Sequence, residues 1–122
     1  ITTWRDFNFN SKVSFATQSG PRLLINGSIP SLKPGNADRS ALCITRQGDV
    51  LVLATANASL TLQQLASLMG ASSHQNGLDC VDALNLDGGT STQMFANVGD
   101  VDVNVPNFKS LVDAVIVVPV ST

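Results

Sequence analysis

Charge is scarce in this chain: of 122 residues, only 13% are charged, while 43% are hydrophobic. That balance excludes a disordered polyelectrolyte and describes a packed globular chain. Seven Lys and Arg stand against nine Asp and Glu, a net charge of −2, and no basic cluster exists. A nucleic-acid footprint is therefore missing, and no nucleic-acid partner is expected. Long apolar runs are missing too. The strongest, Ala114 to Val120, is far shorter than the roughly 20 residues a membrane span needs. Cysteine is limited to Cys43 and Cys80 and histidine to His74, too few for a zinc site. The two cysteines permit at most one disulfide, and two buried free thiols are the simpler expectation. No initiator Met and no signal peptide are visible, so a processed or trimmed product is expected.

What is present is a succession of short apolar segments punctuated by turn residues, in a length that suits one domain over residues 1–122. Val13 to Thr17 alternates as a strand would, and Arg22 to Asn26 resumes an extended run that ends at the Asn26-Gly27 turn signal. Ser28 to Asn36, with two Pro and one Gly, reads as a surface loop. Ala41 to Arg46 and Asp49 to Thr55 flank Gln47-Gly48 as a β-hairpin. The second of these strands is nearly all apolar, which predicts burial on both faces and a central place in its sheet.

A helix is predicted from about Leu62 to Met69. Thr61 and Gln64 form a capping box, Leu60 and Leu65 a hydrophobic staple, and Leu62, Leu65, Ala66 and Met69 the buried stripe, with Gly70 as the stop. Ala71 to Leu78 reads as a polar loop. Val81 to Leu86, Ser91 to Phe95, Val101 to Val105 and part of Leu111 to Val120 read as strands. The expected fold class is α+β, a mixed, strand-rich sheet domain with one well-capped helix packed on it.

Chemistry concentrates in Asn85-Leu86-Asp87-Gly88-Gly89-Thr90-Ser91-Thr92. A strand delivers Asp87, and two glycines let the backbone turn sharply or approach a ligand closely. The hydroxyls of Thr90, Ser91 and Thr92 follow, so one carboxylate, free N–H groups and neutral donors fall together, as a nest for an anion or a sugar requires. On spacing alone an ordinary Asp-Gly-Gly hairpin is the simpler reading. The G-x-G-x-x-G spacing of a dinucleotide site is absent. A Ser nucleophile would need His74 as its base, and nothing in the sequence brings His74 to Ser91.

Ala83 to Thr92 resembles the signature of the phosphodiester glycosidase family. Ser19-Gly20-Pro21-Arg22-Leu23 is similar to the family's Ser-Gly-Pro-x-Leu stretch, and Arg39-Ser40-Ala41 to its Arg-Thr-Ala entry into a central hairpin with Gln47-Gly48 at the turn. Leu60-Thr61-Leu62 through Met69-Gly70 resembles the segment before the signature, and Val105-Pro106-Asn107 the motif before the last strand. The motifs span Phe15 to Val118. Thr90 stands where the family often has a third glycine, and no counterpart of the family's longer N-terminal segment is visible before Phe15. The resemblance therefore implies the C-terminal part of such a domain, with an N-terminal fragment of the same domain as a possible partner.

The resemblance implies hydrolysis of a sugar linked through its anomeric carbon to a phosphodiester, and a secreted or periplasmic location. In that scheme Asp87 is the essential carboxylate and Arg39 holds the phosphate, while Asn85, Gly88, Gly89, Thr90, Ser91 and Thr92 contact the substrate. The residues alone leave other roles open. Asp87 reads equally as a turn residue bonding its own backbone, Arg39 as a surface residue ending a loop, and Asn85 as a brace for the turn. Asp82 lies on the opposite strand face from Asn85 and is a poor second carboxylate. No cofactor is expected, and too few carboxylates cluster to predict a metal. Two further readings compete: a non-catalytic glycan or sugar-phosphate binding module, and one half of a split or proteolysed domain.

Overall fold

The computed structural model describes residues 1–121. Its centre is a four-stranded antiparallel sheet built from β1 (Arg22–Leu24), β2 (Ser40–Thr45), β3 (Val50–Ala54) and β4 (Cys80–Asn85), in the order β1-β4-β2-β3. A separate two-stranded ribbon pairs β5 (Met94–Val98) with β6 (Val101–Val105). One helix, α1 (Leu62–Gly70), packs on β1 and β4. The architecture is α+β, strand-rich with one capped helix.

Strand periodicity sets the core. Along β2, Ala41, Cys43 and Thr45 are buried, while Leu42 and Ile44 on the other face are half-buried. Ala83 of β4 lies opposite Cys43, and Leu23 and Leu24 of β1 are fully buried beside them. Against this face α1 lays Leu62, Leu65, Ala66 and Met69, each large side chain contributing about 1.5–3 kcal/mol of burial. The helix starts as its sequence dictates: Thr61 Oγ1 accepts from Gln64 N at 3.1 Å, and Gln64 Oε1 accepts from Thr61 N at 2.9 Å. Leu60 packs against the same cluster as Leu65.

The Asn26-Gly27 turn and the Gln47-Gly48 hairpin form as predicted. Asn26 and Gly27 both have positive φ, 49° and 80°, in a two-residue turn closed by Ile25 and Ser28.

Several expectations are corrected. Cys43 and Cys80 are joined as a disulfide across β2 and β4, with Cα atoms 5.9 Å apart, rather than standing as free thiols. Partnered by Ala83 and Thr45 respectively, they fall on the same buried face of two neighbouring strands.

β3 is an edge strand, not a central one. Leu51 and Leu53 pack on the core, while Val50 is 67% exposed and Val52 39%. A continuous apolar run records composition, and composition does not distinguish an edge from a centre.

Gly70 is the last helical residue and Ala71 the C-cap. What Gly70 provides is room: a Cβ there would lie 3.1 Å from Leu24 Cδ2. Val13 to Thr17 and Leu111 to Val120 form no strand, and Phe15, Val112 and Val120 are almost fully exposed. Their alternation and apolarity suit a strand, but no neighbouring strand offers either one a ladder. Ser91 to Phe95 is extended only from Met94 onward, because a 3-10 turn, Gly89–Ser91, precedes it.

Candidate functional site

The signature run leaves the end of β4 and is held in place from four directions. Asn85, 9% exposed, donates from Nδ2 to Gly20 O at 3.1 Å and Leu86 O at 2.9 Å, and its backbone N donates to Pro21 O at 3.0 Å. The Ser19-Gly20-Pro21 stretch is thereby fixed to the start of the turn. Leu86 N donates to Ser40 O at 2.8 Å, and Gly89 N donates to Asp38 O at 2.7 Å. These bonds join the entry of β2 to the turn itself.

The two glycines have different reasons to be there. A Cβ on Gly88 would sit 2.7 Å from Asp38 O, so its smallness allows the two backbones to meet. Gly89 has φ of 57° with open space around it, so its contribution is conformational. The left-handed residue is Gly89, and Thr90 is outside the positive-φ set. A β-branched residue at that position therefore fits without strain.

Asn107 closes the turn from the far side. Its Nδ2 donates to Gly89 O at 3.3 Å and Thr92 O at 3.4 Å, while its Oδ1 accepts from Phe108 N at 2.8 Å. Thr92 is 1% exposed and accepts from Ser40 Oγ at 3.3 Å. Arg39 ties in the remaining segment. Its Nε donates to Leu60 O at 2.8 Å, one Nη donates to Gly35 O at 2.6 Å, and its backbone N donates to Thr55 Oγ1 at 2.8 Å. Segments at 20–21, 38–40 and 107, scattered along the chain, thus converge on the turn at 85–92, and residue 60 joins them through Arg39.

Each expected site residue has a definite place. Asp87 is exposed at the rim, and Thr90 is exposed beside it. Asn85, Ser91 and Thr92 are buried beneath. Asn85 Oδ1 and Ser91 Oγ are buried without a hydrogen-bond partner among the described residues, an arrangement that costs about 1–3 kcal/mol per group.

Arg39 and Asp87 are not an ion pair, since the ion pair found among the described residues is Arg22–Asp82 at 2.9 Å. Asp82 also accepts from Asn26 N at 3.2 Å, so it belongs to the sheet's other face and the β1 turn. His74 lies exposed in a short 3-10 turn, Ser73–Gln75. Ser91 Oγ has no such base bonded to it.

Beside the turn lies a cavity of about 230 Å³ between the sheet end and the β5–β6 ribbon. Its polar lining is Asp38, Thr55, Asn57, Thr92, Asn104 and Asn107. Ala56, Val105 and Pro106 complete the wall. Of these only Thr92 was singled out by sequence as a ligand contact. Val105-Pro106-Asn107 was visible as a motif without a role, and Asp38 adjoins Arg39. Asn57 opens an Asn-Ala-Ser glycosylation sequon and Asn104 carries no motif; both reach the cavity through tertiary folding alone. Among the described residues, no group of three or more His, Cys, Asp or Glu is placed to hold a metal ion.

Fold and cavity together define an α+β domain with a polar-lined cavity at the end of its sheet. Compared with known families, the chain matches the phosphodiester glycosidase model over residues 2–118, and it belongs to that family. The match starts upstream of Phe15, where the motif resemblance begins, so the N-terminal residues also carry family character. No curated protein and no solved structure matches the chain.

Proposed function

We propose that the chain hydrolyses a glycosyl phosphodiester at the anomeric C–O bond, releasing a sugar and a phosphomonoester. The observation that carries this reading is the convergence of the family's separated motifs on the Asp87 turn, within a family match covering residues 2–118. An ordinary glycosidase uses two carboxyl groups, one of them to protonate the leaving oxygen. A phosphate ester leaves readily without that proton, so the chemical demand falls on stabilising charge.

In this reading Asp87 is the carboxylate that faces the oxocarbenium-like sugar, as base, nucleophile or electrostatic partner. Its exposure leaves it open to substrate. Arg39 is the cation offered to the phosphate. Two of its nitrogens are committed to Leu60 O and Gly35 O, which orients the guanidinium while Nη1 makes no hydrogen bond among the described residues. Asn85, Gly88, Gly89, Ser91 and Thr92 shape the turn, and Thr90 stands at its exposed side. The proposed substrate partner is a carbohydrate phosphodiester, and the proposed location is secreted or periplasmic, where the Cys43–Cys80 disulfide would persist.

Turnover of an aryl or nucleotide-linked sugar phosphodiester tests the proposal. Asp87→Asn is expected to lower kcat by about 100-fold or more, and Arg39→Ala to raise KM and lower kcat together. Unchanged turnover in both variants refutes the assignment. Binding of the diester without release of sugar by the wild type would identify a non-catalytic binding module instead.

A further inference from the structure

The cavity beside the turn has a composition that selects among ligands. Its polar lining includes one acidic residue, Asp38, with Asn57, Asn104 and Thr55, whose hydroxyl already accepts from Arg39 N at 2.8 Å. Its other wall is Ala56, Val105 and Pro106, and no Lys, Arg or His lines it. An anion such as phosphate finds no cation here and meets a like charge at Asp38. A neutral sugar ring meets what it needs: apolar C–H surface against Val105 and Pro106, and hydroxyls against carboxylate and amides.

Asp38 accepts from donors only, through two oxygens, so it can take hydrogen bonds from adjacent hydroxyls, whereas Asn57 and Asn104 both donate and accept. Asn107 is different in kind, because its amide is already committed to the turn and to Phe108 N. Size narrows the ligand further. At about 230 Å³ the space lies below the roughly 300–1,000 Å³ of sites for drug-sized ligands, and it suits one monosaccharide unit rather than a chain.

We infer that this cavity is the glycosyl subsite, which holds the sugar as a neutral ring with Asp38 as its specificity residue and leaves the phosphate outside, toward Asp87 and Arg39. The inference deepens the phosphodiester glycosidase reading and rests on it for the nature of the ligand. Asp38 is well placed for the role because its backbone carbonyl is bound to Gly89 N at 2.7 Å. The backbone that carries Asp38 is thus fixed by the same contact that sets the turn, and exchanging the side chain leaves that contact intact.

The test is binding of free monosaccharides (glucose, galactose and N-acetylglucosamine) to the folded chain by NMR titration, with inorganic phosphate as competitor. At least one sugar is expected to bind, with phosphate failing to displace it. Asp38→Asn is expected to weaken that sugar by about 10- to 100-fold, as loss of a charged acceptor does, and Asn57→Ala to weaken it less. In turnover, Asp38→Asn should raise KM with kcat nearly unchanged, the mark of lost ground-state binding.

Displacement of the sugar by phosphate, no binding by any of the three sugars, or equal affinity in the wild type and both variants overturns the inference. Those outcomes are separable from failure of the hydrolysis assay. Sugar bound without any turnover keeps the subsite and removes the enzyme. Turnover with an unchanged KM in Asp38→Asn does the reverse.

Discussion

Gly88 and Gly89 sit side by side, yet replacing each by Ala should have different consequences. At Gly88 the new Cβ would lie 2.7 Å from Asp38 O, a backbone atom that cannot swing aside as a side-chain terminus can. Relief requires moving the Asp38 carbonyl, which breaks its hydrogen bond from Gly89 N. Overpacking of this kind costs about 1–3 kcal/mol, and the lost bond adds about 0.5–1.5 kcal/mol. The expected destabilisation of Gly88→Ala is therefore roughly 1.5–4.5 kcal/mol. At Gly89 nothing lies within 4 Å of the new Cβ, and only the φ of 57° opposes it, at a cost of about 1–2 kcal/mol. Urea unfolding of the two variants measures both values directly. Because Asp38 moves in one and not the other, Gly88→Ala should also weaken sugar binding, while Gly89→Ala should largely preserve it. Equal destabilisation, or a smaller effect at Gly88, would refute the claim that the turn is built on a backbone-to-backbone approach.

Two further outcomes follow from features outside the turn. The Cys43–Cys80 disulfide closes a separation of 37 residues, for which chain entropy gives about 4 kcal/mol of stabilisation. Cys43→Ala with Cys80→Ala should lower stability by about that amount in chemical denaturation, and an unchanged midpoint would show that the bridge constrains nothing. Asp79 is held below the usual carboxylate pKa, first by hydrogen bonding to the Ser73 side chain, then by the Ser73 backbone N–H, with smaller help from Arg46 and His74. Its folded-state pKa is depressed, so its contribution is present above the unfolded value of about 3.9 and is lost as pH falls through the lower folded value. Stability measured from pH 6 down to pH 2 should fall less steeply in Asp79→Asn, and parallel curves would contradict the assignment.

Much of the fold was legible because local chemistry decided it. The Thr61 capping box, the Asn26-Gly27 turn and the Gln47-Gly48 hairpin each rest on residues within a few positions of one another, and all three form. Readings failed where a distant neighbour decides. Whether Asp49 to Thr55 is central or an edge depends on which strands pair, and Leu111 to Val120 is strand-like in composition but has no ladder beside it. The disulfide was open for the same reason: only the alignment of β2 with β4 brings Cys43 and Cys80 together. In the site, Asp87 and the glycines were legible as a motif. Asn57 and Asn104 were not, because they come together only where the sheet end and the ribbon meet.

The bridge and the turn are held by the same pair of strands. β2 and β4 are the strands that deliver Ser40 and Asn85 to the turn, and their pairing is antiparallel with a shift between Ile44 and Thr45. Strand side chains alternate faces, so a slip of one residue would carry Asn85 from the buried face to the opposite one. It would also separate Leu86 N from Ser40 O and Asn85 Nδ2 from Gly20 O. The disulfide bars that slip toward one end of the pair, at Cys43 and Cys80, while the Leu86–Ser40 and Gly89–Asp38 bonds bar it at the other. With register fixed at both ends, the orientation of Asp87 follows from the strands rather than from its own contacts. The carboxylate itself can then remain exposed and available to a ligand.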